Sequence, residues 1–216
     1  MGRARADDPS DVARLIARAG AGDAVAVGEL FARHRGRLRR MVDVRLDHRL
    51  RPRVDPSDVV QDGFADALAR LPEYLGAPAL PFFLWLRLVV GERLLKTHRH
   101  HLGAHMRDAA RDVSLYRGAL PAASSAALAA HLLGRHTSPT RAAVRAERLL
   151  RVQDALNALD PIDREVVSLR HFEELTHAEA ARALGIEEAA AAKRYIRAIK
   201  RLKDVLADSP GGPEGL

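Results

Sequence analysis

The stretch that decides the fold runs from residue 160 to residue 206 and reads DPIDREVVSLRHFEELTHAEAARALGIEEAAAAKRYIRAIKRLKDVL. It opens with the start signals of two successive helices. Asp160 and Pro161 begin the first, because aspartate caps a helix and proline suits its first position. Thr176, with Glu179 three residues later, forms a capping box that begins the second. The spacing predicts a short helix after Thr176.

A third helix follows the turn at Gly185, which can supply the left-handed residue that ends the second helix. It carries apolar residues on one side and cations mostly around the other. A short helix, a glycine turn and a helix with a cationic face form a helix-turn-helix, whose second helix enters the major groove. The alternative is a helical hairpin with a solvated basic face. The residues predicted to contact duplex DNA are Glu188, Ala189, Ala190, Lys193, Arg194, Arg197 and Lys200.

Composition supports a helical protein with a polyanionic partner. Of the 216 residues 47% are apolar but only 4% aromatic, and almost no stretch alternates with period two. This pattern predicts an all-α fold of two small helical domains joined by a flexible linker. The net charge of +7 suits nucleic acid. The absence of cysteine excludes disulfides and cysteine-based zinc sites and is compatible with a reducing compartment.

Breaks in the pattern divide the chain into five parts. The linker is rich in Ala, Ser and Gly, and nothing in it resembles a core. The start of the chain lacks the apolar segment of a signal peptide, and we expect a cytoplasmic protein. The predicted parts are a short N-terminal helix at 1–22, a helical domain at 23–102, the linker at 103–138, the helix-turn-helix domain at 139–207 and a disordered tail at 208–216.

A row of carboxylates lies on the helix that begins at Asp55 and Pro56. Asp58, Asp62 and Asp66 are spaced at i, i+4 and i+8, so they share one face of that helix. Such a row usually forms a solvated surface. The catalytic alternative is a two-metal nuclease site, which would require the carboxylates to converge on bound ions.

Two motifs in this order resemble the extracytoplasmic-function group of bacterial RNA polymerase sigma factors. The first is DVVQDGF at 58–64, and the second comprises LDP at 159–161, FE at 172–173, LGI at 184–186 and KR at 193–194. The resemblance implies a protein without catalytic residues, metal or cofactor that binds core RNA polymerase and directs promoter recognition and transcription initiation. It also leaves room for an anti-sigma or other regulatory protein as partner.

The resemblance assigns roles to three surfaces. Asp58, Gln61 and Asp62 would bind the clamp of core polymerase, and the helix-turn-helix would read the upstream promoter element. The helix that follows Phe82 would lie against the melted downstream element. Its candidate residues are Trp85, Arg87, Glu92, Arg93, Lys96 and Arg99.

Two further points remain open at the level of sequence. A free-standing helix-turn-helix regulator would explain the C-terminal domain but not the 58–64 motif. Four histidines between His98 and His105 have spacings compatible with metal binding, but no further ligand is evident nearby, and a polar helix end that faces nucleic acid is the favoured explanation.

His34 lies on an apolar stripe and is predicted to be a packed core residue.

Overall fold

The computed structural model describes residues 9–102, 120–134 and 142–207, and the regular elements in these ranges are all helical. An N-terminal body comprises α1 to α4, and a C-terminal body comprises α6 to α9. The helices are α1 (Pro9–Gly20), α2 (Ala24–Arg45), α3 (Pro56–Gly76), α4 (Phe82–Leu102), α5 (Ser125–Leu132), α6 (Ala142–Asn157), α7 (Pro161–Val167), a π turn (Ser168–Phe172), α8 (His177–Leu184) and α9 (Glu188–Ala207).

The predicted helix boundaries around the helix-turn-helix are confirmed. The Asp160 carboxylate accepts a hydrogen bond from the amide of Ile162 at 2.9 Å, which caps α7. The capping box between Thr176 and Glu179 is present in both directions. Gly185 ends α8 at φ +66°, a left-handed conformation that a residue with a Cβ adopts at a cost.

The N-terminal body is built on a close pair of helices, α3 and α4. Gly63 permits this approach, since a Cβ at that position would lie 2.8 Å from Cγ2 and 3.0 Å from Cα of Val90. His34 is 2% exposed and packs against the rings of Phe82 and Phe83, so its prediction as a core residue is confirmed. Because α1 buries Leu15 and Ala19 in the same core, it belongs to this body.

The segment predicted as a linker is partly a packed structure, which corrects the expectation that nothing in it resembles a core. Residues 103–119 and 135–141 lie outside the described ranges, but α5 between them buries Leu128 and Ala129 completely. The amide of Ser124 also donates to the carbonyl of Val44 at 2.8 Å. Leu128 is the largest side chain that α5 buries, and the small residues around it give helix propensity and close approach to α6 but indicate a core only weakly in sequence.

The two bodies touch each other directly. The π turn lies on α2, and Leu169 and Leu175 join the same buried cluster as Leu38 and Met41. Charged side chains surround this contact, with Glu173 completely buried beside arginines of α2 and α4. The relative position of the bodies is therefore fixed by both apolar and ionic contacts.

Replacing Gly63 with Ala should destabilise the N-terminal body. The added methyl group must displace the backbone of Val90 or separate α3 from α4, at a cost of about 1–3 kcal/mol. Chemical denaturation followed by circular dichroism measures the change in the free energy of unfolding. Gly28→Ala is the matched control, because a Cβ there meets nothing within 4 Å. It should stabilise the helix by about 0.5–1 kcal/mol. Equal effects of the two variants would contradict this account.

Candidate functional site

The first predicted surface, on α3, is open to solvent. Asp58, Gln61 and Asp62 are all exposed on successive turns of the helix. Asp66, the next carboxylate of the row, is bound by the guanidinium of Arg93 through two hydrogen bonds of 2.6 and 2.9 Å. This contact lowers the pKa of the Asp66 carboxyl. Asp66 thus differs from Asp58 and Asp62, because its charge is neutralised by an arginine within the same body. The acidic face of α3 is therefore formed by Asp58, Gln61 and Asp62.

The carboxylate row does not assemble an ion site. Within residues 9–102, 120–134 and 142–207, no group of three or more Asp, Glu, His or Cys side chains is arranged to hold a metal. Asp66 is engaged by a cation, and Asp58 and Asp62 face solvent on one convex helix. This arrangement offers no convergence of the kind that two-metal hydrolysis needs.

The second surface, on α4, is less cationic than the sequence suggests. Trp85 is half-buried and stacks on Tyr74, with ring centroids 4.5 Å apart. Glu92 pairs with Arg70 at 2.7 Å, and Arg93 pairs with Asp66. Among the predicted cations of this helix, Lys96 and Arg99 remain exposed near its C-terminal end.

Arg87 lies on α4 as predicted but is buried instead of exposed on this surface. It is only 5% exposed, and its Nε donates to the carboxylate of Glu173 at 2.5 Å. In this arrangement Arg87 cannot contact DNA, because the C-terminal body covers it. The sequence could not indicate this contact, since the two residues are 86 positions apart.

The third surface is the exposed side of α9. Glu188, Ala189, Lys193, Arg197 and Lys200 are exposed, whereas Ala190 and Arg194 are half-buried. Together they form a continuous side of the helix that follows the Gly185 turn. Ile196 is 67% exposed on this helix, between Lys193 and Lys200 in sequence, and was missed by the sequence prediction. An exposed apolar residue among cations suits contact with a thymine methyl group in the major groove.

Two of the predicted DNA-contacting arginines also hold the fold together. Arg194 reaches the carboxylate of Asp163 at 2.6 Å, and Arg197 binds both oxygens of the same group at 2.7 and 2.9 Å. The Asp163 side chain is 5% exposed. This aspartate in the first turn of α7 therefore joins α7 to α9 and orients the helix-turn-helix. Lys193 and Lys200 form no ion pair with any residue that the structure describes.

The histidines near the end of α4 point in different directions. His98 is 3% exposed, and its Nε2 accepts a hydrogen bond from the amide of Asp47 at 3.3 Å. His100 and His101 are exposed and pack against each other, while His105 lies outside the described residues. His98 is thus a core residue that braces the end of α2 against α4.

Comparison with known proteins agrees with this geometry. The family model for sigma-70, region 4, matches residues 149–202, which contain α7, α8 and α9 as far as residue 202. The RNA polymerase sigma factor NccH of Alcaligenes xylosoxydans xylosoxydans is 29% identical over 205 residues, covering 94% of this chain and 98% of the relative. The likeness therefore includes the N-terminal body as well as the helix-turn-helix.

Residues 149–202 form a sigma-70 region 4 domain, and the chain is homologous to an RNA polymerase sigma factor over almost its whole length. A solved structure of CnrH in complex with the cytosolic domain of CnrY supports the same conclusion. It is 27% identical, covers 92% of this chain and 99% of the other, and superimposes with a TM-score of 0.53. As a sigma factor the protein directs transcription initiation and is a regulatory factor. None of its described helices combines the length and apolarity that a membrane span requires.

The burial of His98 predicts a pH-dependent stability for this sigma factor. Burial lowers the pKa of the imidazole below its ordinary value of 6.5, while the nearby Asp47 opposes the shift only in part. The unfolded chain therefore binds a proton before the folded protein does, and stability falls as the pH drops below about 6.5. We expect Tm to decrease by a few degrees between pH 7.5 and 5.5. His98→Gln should flatten that decrease, whereas His48→Gln, with its side chain 88% exposed, should retain it.

Proposed function

We propose that this sigma factor binds the clamp of core RNA polymerase through the acidic face of α3. The observation that carries the proposal is the state of Asp58 and Asp62. Both are exposed, and neither forms an ion pair with a described residue, although neighbouring Asp66 is neutralised by Arg93. Solvated carboxylates beside an amide side chain suit a basic partner surface. Such charges accelerate association and orient the partners during it more than they increase the affinity.

We further propose that α9 reads the upstream promoter element while α4 holds the melted strand. On α9 the side that includes Glu188, Ala189 and Ala190 would enter the major groove, and Lys193 and Lys200 would contact phosphate. Arg194 and Arg197 would act mainly by setting the angle of α9 through Asp163. On α4 the proposed contacts are Trp85, Lys96 and Arg99, with Glu92 and Arg93 at the edge and Arg87 excluded while the bodies remain in contact.

A regulatory partner is a further part of the proposal. The similar protein CnrH was solved with the cytosolic domain of CnrY bound to it. We infer that an anti-sigma or other regulatory protein binds this chain in the cytoplasm. The proposed activity requires no cofactor, since it consists of binding polymerase and DNA.

Transcription in vitro tests the function directly. Purified chain is added to core polymerase on genomic fragments, and start sites are mapped with and without it. We expect new start sites that depend on the chain and its co-elution with core polymerase. A free-standing helix-turn-helix regulator would bind duplex DNA but would neither co-elute nor create start sites, and that outcome would refute the proposal.

Reversing the charge of Asp62 should disrupt binding to polymerase. Asp62→Arg places a cation on the acidic face without disturbing the core, because the side chain is exposed. We expect the affinity for core polymerase to fall at least about tenfold, or about 1.4 kcal/mol, in a fluorescence-anisotropy titration. Glu29→Arg, an equal charge change at an exposed residue of α2, is the matched control. Similar losses from both variants would indicate a general charge effect instead.

Removing two lysines from α9 should reduce the salt dependence of promoter binding. Each phosphate contact contributes about 0.9 to the slope of log K against log salt, so Lys193→Gln with Lys200→Gln should flatten it by about 1.8. The control is Arg14→Gln with Arg53→Gln, two exposed cations of the N-terminal body. The duplex binding of the holoenzyme is titrated between 50 and 200 mM salt, roughly the range over which such slopes are resolved. An unchanged slope would remove these lysines from the interface.

A further inference from the structure

Four arginines of the N-terminal body surround one short segment of the C-terminal body. The segment Phe172–Glu174 follows the π turn and precedes α8. Its backbone carbonyls accept from α2: Nε of Arg40 donates to Phe172 at 2.7 Å, and Nε of Arg37 donates to Glu173 at 2.8 Å. The other two arginines, Arg45 and Arg87, bind the side chain of Glu173.

The Glu173 carboxylate is completely removed from solvent. It lies 2.7 Å from Arg45 and 2.5 Å from Arg87, and both of these guanidinium groups are themselves buried. Glu165 of α7 completes the group by pairing with Arg45 and, at 3.6 Å, with Arg87. Two cations from one body thus face two carboxylates from the other, and the buried charge is balanced.

The charges favour full ionisation of the buried group. Burial alone would raise the pKa of the Glu173 carboxyl, but Arg45 and Arg87 outweigh it and hold that pKa below its ordinary value. Burial would likewise lower the pKa of the Arg45 guanidinium, and Glu165 and Glu173 raise it instead. The ion pairs therefore persist at neutral pH for as long as the two bodies remain in contact.

A buried network of this kind disfavours partial disruption. Removing one partner leaves an uncompensated charge at a position inaccessible to solvent, which is strongly unfavourable. Complete separation instead returns all the charges to solvent. Glu174, at φ +55°, adds a backbone conformation that residues with a Cβ seldom adopt. Contacts with α2 support it, including the ion pair between Glu174 and Arg40 at 2.8 Å.

We propose that Glu173 is an intramolecular latch that holds the free sigma factor in a closed state, with Arg87 and Arg45 occupied in cis. Arginine binds carboxylate and phosphate with the same planar fork. The latch therefore excludes DNA phosphate from Arg87, and opening releases that side chain for the melted strand. This last step rests on the proposed role of α4, whereas the closed state itself does not.

The latch is tested by a distance measurement on the full chain without polymerase or DNA. The chain contains no cysteine, so Glu73→Cys on α3 and Asp204→Cys on α9 provide two specific labelling sites at exposed positions. Single-molecule energy transfer between the dyes should give one dominant population for the closed state, and separation of the two bodies should add a population of lower efficiency. Introducing Glu173→Gln should increase the low-efficiency population at least tenfold. A low-efficiency population already dominant without the substitution would overturn the closed state.

Glu174→Gln is the matched control, because it removes the adjacent carboxylate from a partly exposed pair and leaves the buried network intact. It should leave the distance distribution nearly unchanged; opening equal to that of Glu173→Gln would overturn the assignment to Glu173. Arg87→Gln disrupts the same network from the N-terminal body. It replaces Glu173→Gln in the test if that variant loses helical content. The double variant should open no further than either single one, and additive opening would contradict a shared network.

Binding of a fluorescent single-stranded oligonucleotide tests the second half of the proposal. Glu173→Gln should bind it at least several-fold more tightly than the unmodified chain, and adding Arg87→Gln should abolish the gain. If Glu173→Gln opens the chain without tighter binding, the assignment of Glu173 as a latch stands, but the role of Arg87 in DNA binding is overturned. The two failures are therefore distinguishable.

Discussion

A carboxylate held out of water between two guanidinium groups determines how the halves of this sigma factor are arranged. Glu173 comes from the segment before α8, Arg45 from the end of α2 and Arg87 from the middle of α4. These three elements must therefore be placed together, since a buried charge without its partner is costly. Such a network contributes specificity of arrangement more than stability, because desolvation offsets much of the attraction between the charges.

Arginine and lysine are used differently in this molecule. The arginines at structural contacts bind carboxylates through two nitrogens, as Arg93 does with Asp66 and Arg197 with Asp163. The planar guanidinium matches a carboxylate geometrically and tolerates burial better than an ammonium group. The exposed lysines of α9 keep their charge in solvent, where it can interact with phosphate. A basic composition thus overstates the number of cations that are available to nucleic acid.

The helix-turn-helix is oriented from both of its ends. Asp163 ties α9 to the start of α7, and the segment at Glu173 ties the start of α8 to the N-terminal body. The π turn between them places Phe172 and Glu173 inward, and π-type turns are frequent at functional positions. The DNA-reading helix and the contact between the bodies therefore share one structural unit. A change at this contact alters the position of α9 relative to α3 and α4.

Local signals in the sequence determined the helices and the family. The aspartate caps, the capping box at Thr176 and the left-handed Gly185 act between residues that are close in the chain, so their geometry follows from spacing alone. The acidic face of α3 could also be predicted from the sequence, because helical periodicity places Asp58 and Asp62 on one side of the helix.

Only the tertiary structure decided which charged residues remain available. Arg87 and Glu173 are 86 positions apart, and Arg197 and Asp163 are 34 apart, so no periodic pattern links them. The sequence did not reveal the burial of α5 for a related reason, since Leu128 is flanked by small residues such as Ala129, which indicate a core only when a neighbouring helix approaches them closely. Pairing between distant charges depends on how whole helices pack, and that packing is a property of the assembled fold.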